Sequence, residues 1–158
     1  MDAGVNSDGL DTADYSAVSV ATTVDVNGAT ITISDGINDD VLENFEVLKL
    51  GTGSDAVTLT DISGIDTIDG GTGAGVDSLT VIGTNVDLSD ITLLNFEEIL
   101  AKNGQIVTIS AADLDGETMK LHTEGNGQII VKATTDMNDH DFDNITVQND
   151  ATGKITLD

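Results

Sequence analysis

The sequence predicts an all-β protein, a right-handed parallel β-solenoid forming one elongated domain, and three observations predict it. The first is a pattern, Gly-x-Asp-x-aliphatic, found at Gly53-Asp55-Val57, Gly64-Asp66-Ile68 and Gly75-Asp77-Leu79, each copy displaced by eleven residues. Regular spacing of this kind marks stacked turns, each adding a rung to a coil. The second is the absence of proline, where average usage gives roughly eight in a chain this long. The third is an aromatic content of 3% beside a hydrophobic content of 39%, largely Val, Ile, Leu and Ala. A sandwich of immunoglobulin type wants a large buried aromatic and loop prolines, whereas a narrow solenoid interior takes rows of small aliphatics.

Each residue of the pattern has a mechanical job. Gly supplies a positive-φ turn, Asp offers a carboxylate at the corner, and the aliphatic residue begins a short inward-facing strand. The expectation is that Val57, Ile68 and Leu79 stack inside while Asp55, Asp66 and Asp77 share one corner.

The elements follow in order. Residues 1–16 are polar and read as a lead-in or pairing arm, and 17–158 as the solenoid domain. Residues 17–26 alternate and are β-branched, which reads as strand, and this is the expected pairing element. Asn27-Gly28 is a turn, and residues 29–34 alternate again. Two segments, 41–50 and 92–101, share an Asn-Phe-Glu core at an offset of 51, and both read as strand. Residues 81–88, 106–109 and 128–133 continue the pattern, and two last strands lie around 145–147 and 154–157.

Within residues 50–80 the glycine and aspartate spacing resembles a known family. Residues 50–58 and 72–80 fit the nonapeptide G-G-x-G-x-D-x-U-x, with Leu50 and Thr72 standing where the first Gly belongs. Residues 61–69 keep only Gly64, Asp66 and Ile68. This resembles the RTX-type (repeats-in-toxin) secreted bacterial proteins, including their adhesin and surface-layer relatives, although the spacing is eleven rather than nine. The resemblance implies a β-roll whose neighbouring turns hold Ca²⁺ between aspartates and backbone carbonyls. Ligands would then come from Gly53, Asp55, Gly64, Asp66, Gly75 and Asp77. It also implies secretion to the extracellular space or cell surface, often directed by a C-terminal signal.

Stacked aspartate corners suit Ca²⁺, which takes several oxygen ligands. The plain alternative is that each Asp caps its own turn, its commonest use. A second acidic stretch lies on the calcium-loop pattern D-x-[DN]-x-[DN] at Asp139, Asp141 and Asp143, with Asp150 where a bidentate Glu is usual. No helices flank it, so it is not an EF-hand, and a solvated acidic turn is the alternative.

Charge bounds the partners. Five Lys against 29 acidic residues give a formal net charge of -24. Such a surface repels nucleic acid and anionic membrane, and no run is long enough for a transmembrane helix. There is no Cys, so disulfides and thiolate metal sites are excluded. The first residues are acidic and lack the apolar stretch of a Sec signal.

Enzymatic constellations are absent. His122 and His140 are not in metal-ligand spacing, no Gly-x-Ser-x-Gly elbow occurs, and residues 71–75 lack the lysine of a phosphate loop. The expectation is a non-enzymatic extracellular module of a bacterial adhesin, surface layer or self-assembling filament, stabilised by calcium. It would associate with itself end to end through uncapped coils and touch a cell surface or matrix. Two alternatives stand beside it: a module that binds glycan or ice, and the calcium-binding tail of a secreted hydrolase.

Overall fold

A computed structural model describes residues 1, 9–133, 140–149 and 152–158. The chain begins with β1 (Thr12–Asp14), β2 (Thr23–Asn27), β3 (Thr30–Ser34), β4 (Asp39–Glu43), β5 (Val47–Lys49) and β6 (Ala56–Asp61). Next come β7 (Thr67–Asp69), β8 (Ser78–Val81), β9 (Val86–Asp87), β10 (Thr92–Leu94) and β11 (Glu98–Ala101). After β12 (Ile106–Ser110) stands one 3₁₀ turn (Ala111–Asp113), followed by β13 (Met119–Thr123), β14 (Gln128–Lys132), β15 (Ile145–Asn149) and β16 (Lys154–Leu157).

These strands make three walls. The long wall runs β15-β13-β11-β8-β6-β2-β3-β4, the second β1-β5-β7-β10, and the third β16-β14-β12-β9. The chain visits the walls in turn, so successive strands of one wall belong to successive coils and pair in parallel. About five such turns stack into a β-solenoid. In the coil after β10 the 3₁₀ turn takes the place of a second-wall strand.

Alternation makes the core. Every second residue of a strand points inward, and in-register pairing puts equivalent residues of each coil in one column. One column runs Ile33, Val24, Val57, Leu79, Ile99 and Leu121. Its neighbour runs Ile31, Val26, Leu59, Val81 and Ala101. All eleven side chains are buried. Phe45 and Phe96 are buried too, where the chain turns. Small aliphatics suffice because the space between the walls is narrow.

The register corrects the expected repeat. Val57 pairs Leu79, Leu79 pairs Ile99 and Ile99 pairs Leu121, steps of 22, 20 and 22 residues. Eleven is therefore half a coil. Val57 and Leu79 do stack, but Ile68 pairs Leu48 and Leu93 in the second wall. All three point inward from two different walls.

The first coils also differ from the expected arrangement. Residues 17–22 form a loop rather than strand, and β1 within the lead-in pairs β5 as part of the second wall. β2 is an interior strand, flanked by β6 and β3, so it offers no free edge. The tight hairpin turn is Gly28-Ala29, one residue on from the expected pair, with Asn27 pairing Thr30 and Gly28 at φ 61°. The hairpin leaves β3 antiparallel to both β2 and β4, the exceptions to parallel pairing among the described strands. The expected strands around 145–147 and 154–157 are present, as β15 and β16, whereas 92–101 is two strands, β10 and β11, broken by a corner. Among the described residues no helix is long and apolar enough to cross a membrane.

Leu79 lies mid-column with no exposure. Leu79→Ala is expected to lower unfolding free energy by about 2–5 kcal/mol through the cavity it leaves. Val76→Ala, at a residue 58% exposed, should change it by less than about 0.5 kcal/mol. Urea unfolding of both variants measures the contrast.

Candidate functional site

The residues that precede β2, β6, β8 and β11 sit at a corner, and there Thr22, Asp55, Asp77 and Glu97 stack over one another. Backbone N–H groups at this corner have turned away from the wall and need acceptors. Carboxylates from the following coil supply them. Asp55 Oδ1 accepts the Thr22 N–H at 2.7 Å and its hydroxyl at 2.8 Å. The Asp55 N–H donates to Asp77 Oδ1 at 2.7 Å. In turn the Asp77 N–H donates to Glu97 Oε2 at 2.6 Å. Each acid thus ties its coil to the one before.

A second acidic column stands where the chain enters the second wall. The Asp11 N–H donates to Glu46 Oε2 at 2.7 Å. Asp66 follows in that column, its N–H donating to the Glu46 carbonyl at 2.8 Å and its carbonyl accepting from Thr92 at 2.9 Å. The Asp66 side chain is exposed. The expected single corner of Asp55, Asp66 and Asp77 is therefore two corners, because a step of eleven residues carries the chain to the opposite wall.

The glycines of the repeat also divide. A Cβ on Gly75 would overlap the Gly53 carbonyl oxygen, and one on Gly53 would meet the Val20 carbonyl. These loops lie backbone on backbone, and glycine is required for that approach. Gly64 is different: its φ of 85° makes it a turn glycine, where an added Cβ would make only ordinary contact with Ala29.

The Asn-Phe-Glu segments are a corner device used twice. Asn44 and Asn95 adopt φ of 59° and 56°, the left-handed region that Asn tolerates. Phe45 and Phe96 then enter the core, and Glu46 and Glu97 reach back to the preceding coil. The first copy leads into β5 of the second wall and the second into β11 of the long wall. Their likeness is one of corners, and neither core is strand until the residues after it. The pattern was visible in sequence; its acceptor role was not.

Electrostatics concentrates at the buried pair. Asp55 and Asp77 are 1% and 3% exposed. Burial pushes Asp77 up to about 6, against the lowering effect of the Asp55 N–H, and Glu97, Asp55 and Asp69 add to the rise. Asp55 Oδ2 is buried without a hydrogen-bond partner. Burial likewise raises Asp113 to about 6, the Leu93 N–H opposing it. Elsewhere Asp61 and Asp87 each accept the hydroxyl and N–H of the Ser two residues on, which holds both carboxyls below the usual range.

The calcium sandwich that the resemblance implies sets Asp66 beside Asp55 and Asp77, and the fold separates Asp66 from the other two. Among the described residues no three acidic or His side chains converge. One oxygen each of Asp55 and Asp77 is committed to a backbone N–H, and Asp66 stands at the other corner. Of the later acidic stretch, Asp139 and Asp150 lie outside the described residues. The Asp141 N–H donates to Asp115 Oδ1 at 2.7 Å, and Asp141 Oδ1 accepts the Asp143 N–H at 3.0 Å, closing a local turn. His122 lies 3.2 Å from Glu98 Oε1, which also accepts from Lys120 Nζ at 2.9 Å. No protein-family model matches this chain, and neither a curated protein nor a solved structure matches it.

Two outcomes are expected. Asp77 has a folded value above its unfolded one, so its contribution to stability is full below about pH 4 and is lost as pH rises through about 6. Asp113 acts in the same window and the same direction. Asp77→Asn keeps an acceptor for the Asp55 N–H and should flatten part of that loss, leaving the variant more stable than the parent above pH 6. Thermal melts across pH 4 to 7 read this directly. Calcium and sodium at matched ionic strength should raise the melting temperature equally, since screening is then the shared cause. A larger calcium shift would reveal a specific site.

Proposed function

We propose that the protein is an extracellular structural module, of the kind found in bacterial adhesins, surface layers or filaments, and not a catalyst. Its work is to hold a rigid stack and to join a neighbour through an end. One observation carries the reading: the inward columns run in register from coil to coil and fill the interior with packed aliphatic side chains. The net charge of -24 supports a secreted, strongly solvated surface that nucleic acid and anionic membrane do not approach.

A second reading, a glycan- or ice-binding face, draws on the outer side of the long wall. Thr58 and Thr80 stand side by side in register there, and Ser34, Thr23, Ala56 and Ser78 form a parallel row. Asp25 interrupts the first row beside Thr58, and Glu98 and Lys120 end the second. Charge within the rows favours the structural module.

Electron microscopy of the purified chain, with and without calcium, tests the choice. The module reading expects particles in contact through their ends. Separate particles that bind immobilised glycan or growing ice would overturn it in favour of the second reading.

A further inference from the structure

We propose that Asn103 is a self-modification site. In the folded protein its side-chain amide closes on the Gly104 backbone nitrogen and converts, with loss of ammonia, to an aspartyl or isoaspartyl residue. The inference goes beyond the structural-module reading and does not depend on it.

The reaction needs a side-chain carbonyl carbon, the backbone N–H of the next residue, and freedom for the two to meet. A following glycine obstructs that meeting least. Six Asn-Gly or Asp-Gly pairs lie wholly within the described residues: Asn27-Gly28, Asp35-Gly36, Asp69-Gly70, Asn103-Gly104, Asp115-Gly116 and Asn126-Gly127. The fold engages the glycine N–H in five of them. Gly28 donates to the Asp61 carbonyl at 2.8 Å, and Gly70, Gly116 and Gly127 donate to the Leu94, Asp141 and Glu124 carbonyls at 2.9 Å. Gly36 donates to Ser34 Oγ at 3.2 Å. Gly104 is the exception, since no described group accepts its N–H. Asn103 and Gly104 are both exposed, and Gly104 has φ 80° with nothing within 4 Å of the Cβ it lacks. The nucleophile is free here and tied elsewhere.

The electrophile is primed as well. Asn103 Oδ1 accepts the Asn126 N–H of the next coil at 2.9 Å. A donor aimed at that oxygen stabilises the negative charge that gathers there when the carbon is attacked. The two turns are held face to face on both sides. The Glu124 N–H donates to the Ala101 carbonyl at 2.9 Å, and the Gln128 N–H to the Gln105 carbonyl at 2.8 Å. Lys102 Nζ also meets Glu124 Oε2 at 3.0 Å. The Asp-Gly pairs are poorer substrates, because an ionised carboxylate resists attack. Backbone N–H donors hold the Asp35 and Asp115 carboxyls below the usual range, which keeps them ionised.

The step balances without a cofactor. The Gly104 nitrogen bonds to Asn103 Cγ and gives up its proton, the Cγ–Nδ2 bond breaks, and Nδ2 leaves with that proton as ammonia. Water then opens the cyclic imide. Opening at Cγ leaves an aspartyl residue, and opening at the backbone carbonyl carbon leaves an isoaspartyl one, the main chain now running through the side chain. Either product replaces a neutral amide by a carboxylate. The aspartyl product keeps an oxygen for the Asn126 N–H, a charge-assisted bond like those Asp55 and Asp77 accept at the long-wall corner.

Peptide mapping by mass spectrometry, on the full chain incubated in mildly alkaline buffer with and without urea, tests this. In the folded chain Asn103 should convert at least about tenfold faster than Asn27 and Asn126, whose glycine N–H groups must first be freed by local opening. In urea the three rates should converge. Isoelectric focusing of the folded chain should show a more acidic band growing with time. That band should be lost in Asn103→Gln, whose longer arm disfavours the ring, and kept when Asn27→Gln and Asn126→Gln are combined. Equal rates at the three sites in the folded chain, the same ranking persisting in urea, an acidic band that survives Asn103→Gln, or an unchanged Asn103 in the folded chain while the urea sample converts would each overturn the assignment.

Discussion

Each coil of this solenoid depends on the next for its backbone hydrogen bonds. Along the walls the parallel ladders meet that need. At the corners the chain turns away and carbonyls serve only some of the N–H groups, as between Ser78 and Asp55 at 2.9 Å or Lys120 and Glu97 at 2.7 Å. The remaining donors take carboxylates from the following coil. A buried N–H left without an acceptor costs about 1–3 kcal/mol, so the placement of Asp55, Asp77, Glu97 and Glu46 is dictated by backbone chemistry. Much of what looks like a metal-binding repeat is explained by this requirement.

The same requirement creates the electrostatic tension at the long-wall corner. Stacking acids at coil spacing puts like charges on successive rungs, and the buried position of Asp77 makes its neutral form the cheaper one below about pH 6. The lysines offset little of the wider charge. Lys102–Glu124 at 3.0 Å and Lys120–Glu98 at 2.9 Å each bridge adjacent coils, but both pairs are partly exposed. Pairs of that kind contribute at most about 1 kcal/mol. Stability therefore rests on the aliphatic columns and the corner bonds.

Fold class was legible in the sequence because strand alternation and glycine spacing are both set by local sterics. The coil length was not. Gly53-Asp55-Val57 and Gly75-Asp77-Leu79 are true equivalents one coil apart, while Gly64-Asp66-Ile68 uses the same residues for a turn on the opposite wall. A turn glycine and a stacking glycine look identical as letters; what surrounds the missing Cβ distinguishes them. Nor could alternation tell that β3 runs against its neighbours, since parallel and antiparallel strands share a period of two. The Asn27-Gly28 pair was the signal for that hairpin. The acidic corners were found as positions, but their role as N–H acceptors required knowing which coil lies behind which.

The hairpin explains why the two ends are unlike. A solenoid built only of parallel coils presents a similar apolar edge at each end, and both would pair. Inserting β3 and β4 stretches the first second-wall step, from Ala13 to Leu48, to 35 residues. It also places a strand with three acids at the rim. Leu42 still covers the core column above Ile31, while Asp40 blocks the other. Covering one column and charging its neighbour ends the stack at that side without exposing its interior. At the opposite side the columns reach Val147 and Asn149, beyond Leu121 and Thr123, with no acidic side chain within β15.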